Sequence, residues 1–148
     1  MRYFEDFVVG MGSVSEGVYE LEASEIVEFC ERWDPLPFHT DEEAAARTPV
    51  GTLFTSAIHT VAIAIRMGHG MNDEPVATEI GLGWDDVRFH TPACAGDQLR
   101  LHAEITEARV SKSRPDVGVI GSRLRLTNQR GAEVISFRTA ALIRRRPR

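Results

Sequence analysis

Asp34 and His39 stand five residues apart in the stretch RWDPLPFHTDEEAAA, residues 32–46, with Pro35 and Pro37 between them. A carboxylate and an imidazole both exchange protons near neutral pH, so a fixed pair suits general acid–base work on a water molecule. Positioned groups of this kind give about 10²–10⁴-fold in rate. The prolines narrow the conformations of the connecting chain before folding, as a preorganised pair requires. Spacing alone also allows a plainer reading, with Asp34 as a helix-end residue and His39 as a partly buried loop histidine. Asp41 would be a third ligand, beside Asp34 and His39, if the group held a metal. No second cluster completes such a site, and Asp41 is explained as a first-turn charge on the helix that follows. No metal is expected.

The elements around this stretch follow from hydrophobic period. Residues 14–23, VSEGVYELEA, alternate weakly and predict a strand. Ser24 then caps a helix through Trp33, with Ile26, Val27, Cys30 and Trp33 on its apolar face and Glu25, Glu28 and Glu31 directed elsewhere. Pro35 ends it by driving the preceding residue out of helical geometry. Thr40 and Glu43 form a capping-box pattern for a short helix over 41–47, broken by Pro49 and Gly51. A third helix, residues 55–67 with Gly68 as its stop, is apolar nearly all round and so belongs at the centre of the fold.

The second half alternates at period two. Leu99, Leu101, Ala103 and Ile105 form one inward face, Ile120, Leu124 and Leu126 another, and Ile135, Phe137, Thr139, Ala141 and Ile143 a third. Breakers mark the turns SKSRPD and TNQRG, and residues 78–89 add a strand bent by Gly81 and Gly83. Helices first and strands after predict an α+β fold, an antiparallel sheet wrapped on one buried helix.

With 148 residues and no linker or repeat, the chain is expected to form one domain over 1–148. Its net charge is −5 although RRRPR at the C-terminus holds four of the seventeen basic residues, so the body is more acidic still. That argues against nucleic-acid binding. The longest apolar stretch, LFTSAIHTVAIAIRM, is too short for a bilayer and carries His59 and Arg66. MRYFEDFVVG lacks the pattern of a targeting segment. Cys30 and Cys94 have neither metal nor redox spacing and read as free thiols. A cytoplasmic protein without membrane association is expected.

Asp34, Pro35, Leu36, Pro37, Phe38, His39, Thr40 and Asp41 resemble the dyad motif of the MaoC-like acyl dehydratases, the (R)-specific enoyl-CoA hydratase family. That motif runs aspartate, any residue, amide residue, proline, any residue, histidine, any residue, aspartate. The resemblance continues through EEAAARTPVGTLFTSAIHTVAIAIRM, GLGWDDVRFHTPACAGDQLRLHAEI, VSKSRPDVG and LTNQRGAEVISF, nearly the whole chain. It implies the hotdog fold, an antiparallel sheet around a long central helix, and a homodimer or higher homo-oligomer. Two positions depart from the pattern: Leu36 replaces the amide residue, and Ala57 replaces a glycine at the start of the central helix.

The implied activity is hydration of a 2-enoyl-CoA, or a related acyl thioester, to the (R)-3-hydroxy product, and the reverse. Asp34 and His39 would jointly hold and activate the water, with their individual proton roles open. The Ala57 N–H, in a first turn whose donors lack partners, would stabilise the thioester oxygen. Leu36, Phe38, Thr55, Ser56, Ile58 and His59 are candidate substrate contacts, although Thr55 and Ser56 also read as helix caps and His59 as a core histidine. Arg88, Lys112 and Arg114 are candidate partners for the CoA phosphates, with a solvated turn as the plainer alternative. No cofactor is implied beyond the CoA of the substrate. A hotdog thioesterase and a non-catalytic acyl-thioester-binding module are the alternatives. Ser56 is not a hydrolase nucleophile, because G-x-S-x-G is absent.

Overall fold

Four long strands carry most of the architecture, and their alternation follows the sequence period. The structure, a computed structural model, describes residues 1–147. The elements run β1 (Gly12–Val14), β2 (Tyr19–Glu20), α1 (Ala23–Trp33), α2 (Pro37–Thr40), α3 (Glu42–Ala46), α4 (Ala57–His69), β3 (Thr78–Phe89), β4 (Gln98–Val110), β5 (Val117–Thr127) and β6 (Glu133–Arg144). The sheet is antiparallel in the order β1-β4-β5-β6-β3, with β2 also paired to β4. Leu99, Leu101, Leu124, Leu126, Ile135 and Phe137 turn inward and pack with Val61, Ile63 and Ala64 of α4. Burial of this apolar face is the main stabilising term.

Local corrections to the predicted elements have local causes. The strand expected over 14–23 is two short pieces, because Ser15 leaves the extended pattern and bonds Gly17 through its hydroxyl. α1 starts behind Glu22, not Ser24. Both main-chain groups of Leu21 are tied to the 96–97 turn, so the chain enters the helix directly after it. Ile26 and Cys30 are buried as expected, whereas Trp33 is exposed and stacks under Arg32. Residues 37–40, expected as loop, form a helical turn with Pro37 in its first position, where a missing N–H costs nothing. That turn consumes Thr40, so Asp41 is the residue that caps α3, accepting the Ala44 N–H at 2.7 Å. α4 begins at Ala57 and runs on to His69 with Gly70 as C-cap, two residues displaced from the expected span.

β3 is an edge strand with little cover. Ile80, Leu82, Trp84 and Phe89 are each more than half exposed, and register shifts interrupt its pairing with β6 around Gly81 and Gly83. A long apolar edge of this kind is a template for pairing with another chain. On the central strand β5, Gly118 has no side chain because the Phe4 ring occupies that space. A Cβ there would lie 2.1 Å from Phe4 Cδ2. No helix among the described residues is long and apolar enough to cross a membrane.

Candidate active site

α1 delivers Asp34 to its own C-terminus. The Asp34 N–H closes the last turn on Cys30 O at 2.9 Å, and the Leu36 N–H folds back to Asp34 O at 2.8 Å. The turn is completed when His39 N–H bonds Leu36 O at 2.9 Å, which starts α2 and aims the imidazole inward. His39 is buried, at 5% exposure. Its Nδ1 lies 2.7 Å from Phe54 O. A carbonyl oxygen only accepts, so Nδ1 carries the proton, and in the neutral form of the ring Nε2 is the acceptor. Phe38 and Phe54 meet the imidazole edge-on at 4.7 and 4.9 Å between centroids, which holds its plane.

Nε2 points at Asp34, with 3.7 Å between it and Oδ2. The same Oδ2 accepts the Ser56 hydroxyl at 2.5 Å. Ser56 is the N-cap residue of α4, yet its hydroxyl makes no cap bond and is spent on Asp34. Two acceptors thus face one another across a short gap beside an N-terminus of the central helix, where unpaired N–H groups favour negative charge.

These groups line one cleft of about 490 Å³. Of the residues expected at the site, Asp34, Leu36, Phe38, His39, Thr55, Ser56, Ala57 and Ile58 all border it. The rest of the wall is mainly apolar, from Phe54, Phe89, Pro92, Ala93 and Val134, with His90, Thr91 and Thr60 among the polar members. A narrow polar pair in an apolar cleft is the usual build of a small-molecule site.

A family model described as mesaconyl-CoA hydratase matches residues 2–148. The chain belongs to this family. It is 29% identical over 134 residues to the 3-hydroxybutyryl-CoA dehydratase of Methylorubrum extorquens, covering 90% of this chain and 78% of that protein. It superposes on the MaoC-like dehydratase from Rhodospirillum rubrum with a TM-score of 0.91 at 32% identity, over the full length of both chains. A Mycobacterium tuberculosis protein with a double hotdog fold aligns with a TM-score of 0.80 at 19% identity, across 99% of this chain and 45% of that one. The fold is therefore the hotdog fold, and the protein is a MaoC-like hydratase/dehydratase, a lyase.

Four expected contacts of this MaoC-like chain lie off the cleft. His59 is two residues, about 200°, round α4 from Ala57, and so faces the core. There its Nδ1 meets Thr55 Oγ1 at 2.6 Å, its Nε2 meets Glu25 Oε1 at 3.1 Å, and its ring stacks on Phe29. Burial pushes the His59 imidazole below its ordinary range, and the Glu25 carboxylate acts in the opposite sense. Glu25, expected to point away, turns inward to make this contact and also accepts the Tyr19 hydroxyl. Burial, with the bond to Glu25 next in size, pushes Tyr19 up to about 12. Arg114 is held by Glu79 at 2.7 Å and by Asp116 at 2.6 Å, and Lys112 is exposed in the same hairpin. Among the described residues, Arg88 bonds only the adjoining Val87 carbonyl, at 3.3 Å. Within one chain, none of the three basic residues reaches the cleft.

Two contributors carried no usable signal in the sequence. Phe54 acts on His39 through a main-chain oxygen, which any residue possesses. His90, at the end of β3, bonds Ser136 Oγ at 2.9 Å and lies 3.2 Å from Glu133, 43 or more residues away in the chain. The Thr91-Pro92 step after the strand was the one local hint that this corner turns toward the site.

Proposed function

We propose that the protein reversibly hydrates a 2-enoyl-CoA to the (R)-3-hydroxyacyl-CoA, with Asp34 and His39 holding the water between them. The observation that carries this is the 3.7 Å gap between Asp34 Oδ2 and His39 Nε2, both acceptors, at the start of α4. A water bonded to each at about 2.8 Å would see them roughly 80° apart, an angle its two hydrogens can serve. As the water oxygen bonds C3, one O–H breaks and its proton passes to His39 Nε2, while Asp34 orients the remaining hydrogen. The C2–C3 π electrons move toward the thioester, and its oxygen, now enolate-like, rests against the Ala57 N–H. Return of the proton from Nε2 to C2 completes the addition of one water. The methyl of Ala57, where the family pattern has glycine, leaves that N–H in place.

The apolar wall from Leu36, Phe38, Phe54, Ile58 and Phe89 suits an acyl chain and excludes water from competing. CoA enters with the substrate, and no other cofactor is required by this chemistry. We further assign a homodimer formed through the apolar edge strand β3, acting in the cytoplasm. Across that edge, Arg88, Lys112 or Arg114 of one protomer would be offered to the CoA phosphates held by its partner.

Incubation with crotonyl-CoA tests the reading. Loss of the enoyl absorbance without thiol release is the expected result, abolished in both Asp34→Asn and His39→Ala with the fold intact by circular dichroism. Thiol release instead would make the protein a thioesterase. Thermal stabilisation by acyl-CoA with no turnover would leave a binding module.

A further inference from the structure

Residues 54, 55 and 56 are consecutive, and each is tied to a different partner. The Phe54 carbonyl holds His39, the Ser56 hydroxyl holds Asp34, and Thr55 between them turns its hydroxyl to His59 Nδ1. Successive side chains of an extended segment face opposite sides. Thr55 also borders the cleft, but its hydroxyl is directed to His59, so it is the member of the three placed to anchor the segment to the core. Its own N–H bonds Ala93 O at 2.9 Å, which pins the backbone on that side as well.

The anchor is a continuous buried series. Thr55 and His59 are 4% and 3% exposed, so their polar atoms need protein partners. One placement of protons satisfies every contact. Ionised Glu25 accepts from the Tyr19 hydroxyl and from His59 Nε2–H. Neutral His59 accepts the Thr55 hydroxyl at Nδ1, and the Cys30 thiol, 3.6 Å away, donates to the same threonine oxygen. Burial favours this neutral form of His59. The series also joins the two helices that matter: Glu25 is in the first turn of α1, which ends at Asp34, and His59 is in the first turn of α4, which begins at Ala57.

We propose that Glu25, His59 and Thr55 form a positioning relay that holds residues 54–56 between α1 and α4 and so sets the spacing of Asp34 and His39. The proposal rests on the Asp34–His39 reading above. The three residues act on the reaction through the backbone, not by touching the reacting atoms. A displacement of about 1 Å at a reacting pair costs on the order of 10²-fold, and loss of the Thr55 hydroxyl frees the segment that carries both holds.

The test compares Thr55→Val, which keeps the shape and removes the hydroxyl, with Thr55→Ser, which keeps the hydroxyl. With crotonyl-CoA, Thr55→Val should lower kcat roughly ten- to a hundred-fold with KM within about twofold, and Thr55→Ser should recover to within about threefold of wild type. Nitrogen NMR of the five histidines, assigned by single substitutions, gives a readout independent of turnover. Wild type should show His59 as the neutral Nε2–H tautomer and His39 as Nδ1–H, and Thr55→Val should turn His39 into a tautomer mixture. The relay is overturned if Thr55→Val keeps its kcat, if Thr55→Ser fails equally, or if the His39 spectrum is unmoved. Turnover that survives Asp34→Asn and His39→Ala overturns the dyad instead, while the tautomer result still decides the relay.

Discussion

Replacing Ser56 with alanine separates two roles that one hydroxyl could fill. As the N-cap residue of α4, a serine ordinarily bonds a first-turn N–H, and its loss costs about 0.5–2 kcal/mol of stability. Here the hydroxyl makes no cap bond and lies 2.5 Å from Asp34 Oδ2. A hydrogen bond to a charged group contributes about 1.5–3 kcal/mol. The Asp34 side chain is 32% exposed, so water replaces part of that and about 1–2 kcal/mol remains. If the bond orients Asp34 on the attacking water, the loss falls on the chemical step, about 5- to 30-fold in kcat. KM should barely move, because the acyl chain keeps its apolar contacts. The assay pairs crotonyl-CoA kinetics with a urea unfolding midpoint. A variant with full kcat and a midpoint lowered by the size of a lost cap would refute the reasoning, since the hydroxyl would then serve the helix and not the carboxylate.

Three other outcomes are expected. The folded protein holds His59 below the range of an unfolded imidazole, mainly through burial, so the native state binds fewer protons. That contribution to stability is complete above about pH 6.5 and is lost as pH falls through the folded value. The unfolding midpoint of His59→Gln should therefore vary less between about pH 6.5 and 5 than that of wild type, with His102, lowered by burial and then by Arg125 and Arg100, retaining part of the slope. Leu82→Glu on the exposed β3 edge should convert the proposed homodimer to monomer in light-scattering measurements, and an unchanged dimer mass would place the interface elsewhere. Gly118→Ala puts a methyl against the Phe4 ring and should destabilise by about 1–3 kcal/mol in urea, an effect removed by Phe4→Ala.

The sheet was legible because its signal is local. Leu99, Leu101 and Ala103 alternate with Arg100 and His102 within a few residues, and a strand needs no distant partner to declare its inward face. The eight expected residues that share the cleft were legible for a related reason: Asp34, His39 and the start of α4 sit on two short stretches whose residue types already suggest proton transfer and helix entry. Boundaries were read less well. Thr40 and Asp41 are adjacent cap-forming residues, and only the helical turn nucleated by Pro37 decides that Asp41 takes the cap.

What the sequence hid is the support behind the dyad, and hydrogen-bonding partners explain why. Glu25 looked like one of three glutamates on a solvated face, and its inward turn depends on His59, 34 residues later. The carbonyl of Phe54 and the hydroxyl of Ser56 reach back 15 and 22 residues to His39 and Asp34. Prolines 35 and 37 restrict the loop, but they do not choose which imidazole nitrogen is protonated or which carboxylate oxygen faces it. Those choices are made by the segment after the third helix, so the chemistry is legible in one stretch of chain and its geometry is imposed by another. A substitution at 54–56 should consequently alter turnover while leaving every residue of the Asp34–His39 motif in place.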